Sequence, residues 1–187
     1  GSGSPVDSVS FDLNNTASTK GLMLIGIHKG TSSSVKEVVY DGVAATYLTE
    51  TGVDGSTKLY LYYLVSPHQG NHALNVALDM TDNVIMTAAI YDNAAGVGTS
   101  VTDTIQWAGT QSVQTTPQHT KDAIVAFGGV RAASNTITWA SPATDRLSQT
   151  LSFDRVLGIA DVLDTSGDTA YTLSYTNSYA NSEILSI

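Results

Sequence analysis

Thr57–Leu78 reads TKLYLYYLVSPHQGNHALNVAL, and its pattern sets the fold class. Leu59, Leu61, Tyr63 and Val65 alternate with Tyr60, Tyr62 and Leu64. After Ser66-Pro67-His68-Gln69-Gly70-Asn71 the alternation resumes, with Leu74, Val76 and Leu78 on one face. A period of two bounded by Pro, Gly and Asn marks β-strands, and the short polar connection predicts that these two strands pair as a β-hairpin.

The flanking segments carry the same signal. Val35–Leu48 holds Asp41-Gly42 between two β-rich arms, which predicts a tight type I′ turn. Gly21–His28 is apolar on both faces, as a central strand is. Val6–Leu13 and Asn83–Tyr91 alternate; Val101–Trp107 and Gln111–Thr115 are weaker strands; Asp122–Gly129, Asn135–Trp139, Thr169–Tyr175 and Glu183–Ile187 complete the series. Gln149–Leu163 fits either a helical stripe or two short strands around Gly158; strand is the better reading, because glycine inside a helix costs about 1 kcal/mol. About ten to twelve strands without an amphipathic helix predict an all-β fold, a two-sheet antiparallel β-sandwich of jelly-roll type. Gly1–Pro5 reads as a cloning linker, residues 6–187 as a single β-sandwich domain, and no internal repeat is evident.

Charged residues are 13% of the 187 positions, and Lys and Arg number 8 against 17 Asp and Glu, a net charge of −9. A field of that sign repels phosphate backbones, so no nucleic-acid partner is expected. No apolar run approaches the roughly 20 residues of a membrane helix, so no membrane partner is expected either. Cysteine is absent, which leaves the redox compartment open. A surface of Ser, Thr, Asn and Gly suits an extracellular or virion-surface protein.

The succession GLMLIGIHKG, VKEVVYDGVAATYL, KLYLYYLVSPHQGNHALNVAL, IMTAAIYDN and DAIVAFGGV, carried by Val38, Tyr40, Gly42, Tyr62, Tyr63, Leu64, Val65, Pro67 and Gly70, resembles a largely uncharacterised group of β-sandwich domains in secreted bacterial proteins and phage structural genes. The resemblance covers about nine-tenths of the chain. It implies a concanavalin-like or jelly-roll sandwich serving adhesion or virion assembly, and it brings no catalytic residues.

Aromatic rings beside amide and carboxylate groups are how a sandwich stacks a sugar, which makes Trp107, Trp139 and a Tyr60/Tyr62 face the ligand-binding candidates. Asp164-Thr165-Ser166-Gly167-Asp168 gathers hard oxygens at close spacing, so Asp164 and Asp168 are the metal candidates, for Ca²⁺; Asp79–Asn83 is a weaker second loop. His68 and His72 flank one connection but lack a third zinc ligand. Glu37, Glu50 and Glu183 are the only glutamates, and neither a Ser-His-Asp nor a Gly-x-Ser-x-Gly signature is present. The expectation is a non-catalytic module that binds glycans. The alternatives are a phage structural subunit, such as a capsid decoration or tail fibre, acting through a protein partner and oligomer contacts, and a glycoside hydrolase or polysaccharide lyase, which requires paired carboxylates.

Overall fold

The computed structural model describes residues 6–16, 20–53, 56–94, 96–105, 109–131, 137–151, 155–177 and 181–187. Among these, every regular element is a strand: β1 (Val6–Asn15), β2 (Leu22–Gly30), β3 (Val35–Tyr40), β4 (Val43–Ala44), β5 (Thr46–Val53), β6 (Thr57–Val65), β7 (Gly70–Asp82), β8 (Val84–Tyr91), β9 (Val101–Ile105), β10 (Gly109–Thr115), β11 (Ile124–Val130), β12 (Thr144–Leu151), β13 (Arg155–Val162), β14 (Tyr171–Asn177) and β15 (Ser182–Ser186). They form four open antiparallel sheets, in the orders β1-β7-β3-β4 (sheet I), β5-β6-β2-β8 (sheet II), β12-β13-β11-β15-β9 (sheet III) and β10-β14 (sheet IV).

The all-β class stands, but four sheets replace the expected two. Sheets I and II enclose one core, with Tyr40, Leu74 and Val76 facing Met23, Ile25 and Tyr60. Sheets III and IV enclose another, with Ala126, Val156 and Ile184 facing Val113, Leu173 and Tyr175. The outer faces of sheets II and III meet in a third core, in which Leu24, Leu59, Leu61 and Ile85 pack with Phe127, Leu157, Ile159 and Leu185. Residues of β2 and β6 therefore need apolar partners on both sides, and β2 is buried along its whole length.

The Thr57–Leu78 stretch is not a hairpin. β6 pairs with β2 and β5 in sheet II, whereas β7 pairs with β1 and β3 in sheet I. Residues 66–69 are an arch between facing sheets, opened by Ser66 at φ 52° and closed by Gly70 at φ 106°. The alternation reports which side chains share a face, not which strand lies alongside; here Tyr60 and Leu74 meet across a core rather than along a ladder. The Asn15 carboxamide donates to Pro67 O and His68 O, both at 2.9 Å, and fixes the arch. The Asp41-Gly42 turn is as expected: both residues have positive φ, 48° and 75°, and Val39 faces Ala44 while Tyr40 faces Val43. Within Gln149–Leu163, the described residues 149–151 and 155–162 are strand, with Gly158 inside β13 opposite Gly128 rather than between two strands.

The two halves repeat one topology. Sheet III less β9, in the order β12-β13-β11-β15, matches sheet II, β5-β6-β2-β8. Sheet IV, β10-β14 extended by the bridge from Tyr175 to Trp139, matches β1-β7-β3, and the chain visits corresponding strands in the same order. Even an irregularity is copied. Thr46 and Tyr47 face Tyr63 and Tyr62, a bulge follows, and Thr49 faces Leu61; 98 positions further on, Thr144 and Asp145 face Asp161 and Ala160, a bulge follows, and Leu147 faces Ile159. Bulges at one place in two sheets are features of a shared design. The repeat is invisible in the residues: across β6 and its counterpart in β13, only Leu59 and Leu157 agree.

Candidate functional site

A concavity of about 770 Å³ opens where the two sandwiches join. Its floor is the end of the shared core, with Leu22, Leu24, Val125 and Ile187. Its rim is polar: Asp92 and Asn93 follow β8, His119, Lys121 and Asp122 precede β11, and Asp164 follows β13. These groups sit at strand ends because both sandwiches terminate there, and loops at the ends of a rigid sandwich are free to carry function.

Two networks hold the rim. The Asp122 carboxylate accepts from the N–H of His119 (2.8 Å) and of Gln118 (3.1 Å), and the carbonyl of Asp122 accepts from the Thr165 hydroxyl (2.9 Å). Lys121, at φ 72°, donates its N–H to Thr165 O at 2.7 Å, and the Asp168 N–H reaches Pro117 O at 3.3 Å. The segment before β11 is thus laced to the connection after β13. On the other wall, the Tyr91 phenol donates to Asp161 Oδ2 at 3.1 Å while Arg146 Nε donates to Asp161 Oδ1 at 2.8 Å. Asp161 is only 2% exposed, and these two donors take the place of water around its carboxylate. Burial, reinforced by the Asp161 charge, pushes the Tyr91 phenol up and keeps it a neutral donor.

The residues singled out in the sequence do not converge. Trp139 is 8% exposed, its ring edge-on to Tyr175 at 5.3 Å, and it fills core space over Gly128, where a Cβ would lie 3.2 Å from the indole. Tyr60 and Tyr62 do share a face of β6, but that face looks into the core between sheets I and II, and Tyr60 is 6% exposed. Tyrosine favours strands because it packs there, and a ring packed on both sides has no face to offer a sugar. Trp107 lies outside the described residues. Asp164 lines the cleft and Asp168 does not, and both adopt positive φ, 53° and 65°. Asp79–Asp82 belong to the end of β7 and only Asn83 separates it from β8; buried Asp82 accepts from the Ser33 hydroxyl beside Lys29 Nζ at 3.6 Å. Among the described residues, no three His, Asp or Glu side chains are placed to hold a metal ion.

The cleft residues escaped the sequence reading because they form no motif. Tyr91 lines the cleft while Asp161, which holds its hydroxyl, does not, and only the stacking of sheet II on sheet III brings these two, 70 positions apart, together. Comparison with family models, with curated proteins and with solved structures found no match.

Proposed function

We propose that this protein is a non-catalytic binding module of an extracellular or virion surface, and that a glycan is its ligand, held in the cleft between the two sandwiches. The observation that carries the reading is the composition of that cleft: an apolar floor, a tyrosine wall, and a rim of carboxylate, amide, imidazole and ammonium groups. Sugars present apolar C–H faces and a dense set of hydroxyls, which such a mixture satisfies. The test is a glycan array run with Ca²⁺ and again with EDTA, on the natural sequence and on Ala123→Trp, whose new ring would fill the cleft. Binding to one sugar class that disappears in the variant supports the cleft. Binding that survives it moves the site elsewhere, and release of reducing ends would replace the module reading with a hydrolase.

A second reading, a structural subunit acting through protein contacts, draws on one observation. The consecutive edge strands β4 and β5 expose Val43 and Tyr47, the latter 50% exposed. Open strand edges with apolar side chains suit assembly. A concentration-dependent oligomer abolished by Tyr47→Lys, together with an empty glycan array, would favour it.

A further inference from the structure

Where the arch after β6 meets the Asp41-Gly42 turn, outside the lining of the cleft, three side chains come together. His68 Nδ1 lies 2.6 Å from Asp41 Oδ2, and His72 Nδ1 lies 3.0 Å from Asp41 Oδ1. The other ring nitrogen of His72, Nε2, lies 2.8 Å from Gln69 O. Both nitrogens of His72 therefore face oxygens that only accept, and an imidazole satisfies two acceptors only as an imidazolium. In the neutral ring one lone pair would point at a carboxylate or a carbonyl oxygen. The trio lines a groove of about 490 Å³ with Ser66, Pro67 and Gln69.

The second sandwich makes the corresponding crossing with residues 163–170 and the corresponding turn with Ser141-Pro142, and neither contains a histidine or pairs one with a carboxylate. The architecture is thus built without this cluster. We propose that Asp41, His68 and His72 form a proton-operated clasp, which holds the Asp41-Gly42 turn against the arch after β6 and so sets the shape of the groove.

The groups that face the clasp are few. Asp41 comes from the β3–β4 turn, His68 from the arch and His72 from β7. β3 adds Tyr40, whose ring meets the His72 ring edge-on at 5.7 Å and whose hydroxyl donates to His68 O at 3.1 Å. β1 adds the uncharged Asn15. The hydrogen bond from His68, with the charges of both histidines, holds the Asp41 carboxyl below the usual carboxylate range. The clasp is closed where Asp41 is ionised and the rings are protonated. It opens when rising pH takes the second proton from the rings, and again in strong acid when Asp41 takes a proton. This inference does not depend on what the cleft binds.

The experiment is ring-nitrogen NMR of the histidines across about pH 5 to 8, with amide hydrogen exchange of residues 68–71 corrected for intrinsic rates. Wherever the arch amides are protected, His72 is expected to carry protons on both nitrogens. On moving to about pH 8 the arch amides should exchange about tenfold faster. Asp41→Asn keeps a residue that accepts the left-handed turn, and it should reduce that change to less than about threefold. His72→Gln, which cannot titrate, should do the same. A neutral His72 ring at the acid end overturns the proposal, and so does exchange in the unaltered protein that ignores pH. Closure at about pH 8 that EDTA reverses would also overturn it, replacing the proton with a metal ion.

Discussion

Gly26→Ala tests the stacking of the two sandwiches at one atom. A Cβ added to Gly26, at the middle of β2, would lie 2.4 Å from Phe127 Cδ1 and 2.8 Å from Cε1. Carbon atoms rest about 3.5–4.0 Å apart, so the ring must retreat by about 1 Å. Phe127 is fully buried in the shared core, so its retreat must displace neighbouring side chains. At an unstrained strand position the same substitution would stabilise by about 0.4–1 kcal/mol through the unfolded chain. Here overpacking reverses the sign, and the expected loss is about 1–3 kcal/mol. Urea denaturation gives the value, and in a chain of this size Tm should fall by about 2–4 °C per kcal/mol. Phe127→Leu removes the obstructing ring edge, so the double variant should recover at least about 1 kcal/mol relative to the sum of the single changes. An alanine that is neutral or stabilising, or strict additivity with Phe127→Leu, would refute the packing of sheet II on sheet III.

Three further outcomes follow from the geometry. Arg146→Met leaves the buried Asp161 carboxylate with the Tyr91 hydroxyl alone; because the guanidinium is itself 44% exposed, the loss should be about 1–3 kcal/mol by thermal denaturation, below the 3–5 typical of a fully buried pair. Asn15→Ala removes both hydrogen bonds of that carboxamide to the arch, leaving the Tyr40 hydroxyl on His68 O, and should cost about 1–3 kcal/mol, with proteolysis of the folded chain appearing first between residues 66 and 69. Tyr60 and Tyr62 are each pushed up to about 12, chiefly by burial, from an unfolded value of 10.0. Their contribution is intact below pH 10 and disappears as pH climbs towards 12, so phenolate absorbance and loss of β-sheet circular dichroism should rise together in that window; ionisation complete near pH 10 in the folded protein would contradict their burial.

The strands were legible because period-two alternation is a local property, and the Asp41-Gly42 turn because positive φ at two successive residues selects few residue types. Partners were not. Tyr60 alternates with Leu61 whether its strand pairs with β7 or faces it, and only the two-sided burial of β6 tells the cases apart. The same ambiguity misdirected the site. A tyrosine on a strand looks the same in sequence whether its face meets solvent, as an edge ring such as Tyr47 does, or a second sheet, as Tyr60 does. The repeat was hidden for a related reason. Tyr60 corresponds to Gly158 and Tyr63 to Asp161, exchanges that keep strand and bulge while changing the side chain's size and polarity. The glycine opposite Gly128 is filled from outside by Ile137, which a Cβ at Gly158 would meet at 3.2 Å.

The shared core explains why the two halves diverged. His28 faces Ile85 across β2 and β8, and Gly129 faces Glu183 at the corresponding place in β11 and β15. Stacked back to back, the His28 ring occupies the space that the missing side chain of Gly129 leaves, where a Cβ would lie 2.8 Å from the ring. Its Nε2 comes within 3.1 Å of Glu183 Oε2, and the Thr57 hydroxyl donates to the other carboxylate oxygen. Both His28 and Glu183 are fully buried. Two first halves stacked in this way would oppose two imidazoles with no glycine to receive either, and two second halves would oppose two carboxylates over an empty space. Only unlike halves give the knob its hole and the carboxylate its partner, and Gly26 beneath Phe127 repeats the arrangement one residue pair along β2 and β11. A buried polar pair of this kind contributes less to stability than to specifying which surfaces meet. The double change His28→Leu with Glu183→Gln, which removes both partners together, should therefore leave a folded chain by circular dichroism and urea denaturation. His28→Leu by itself leaves the buried Glu183 carboxylate with the Thr57 hydroxyl alone and should cost about 3–5 kcal/mol, and a single variant no less stable than the double one would contradict the pairing.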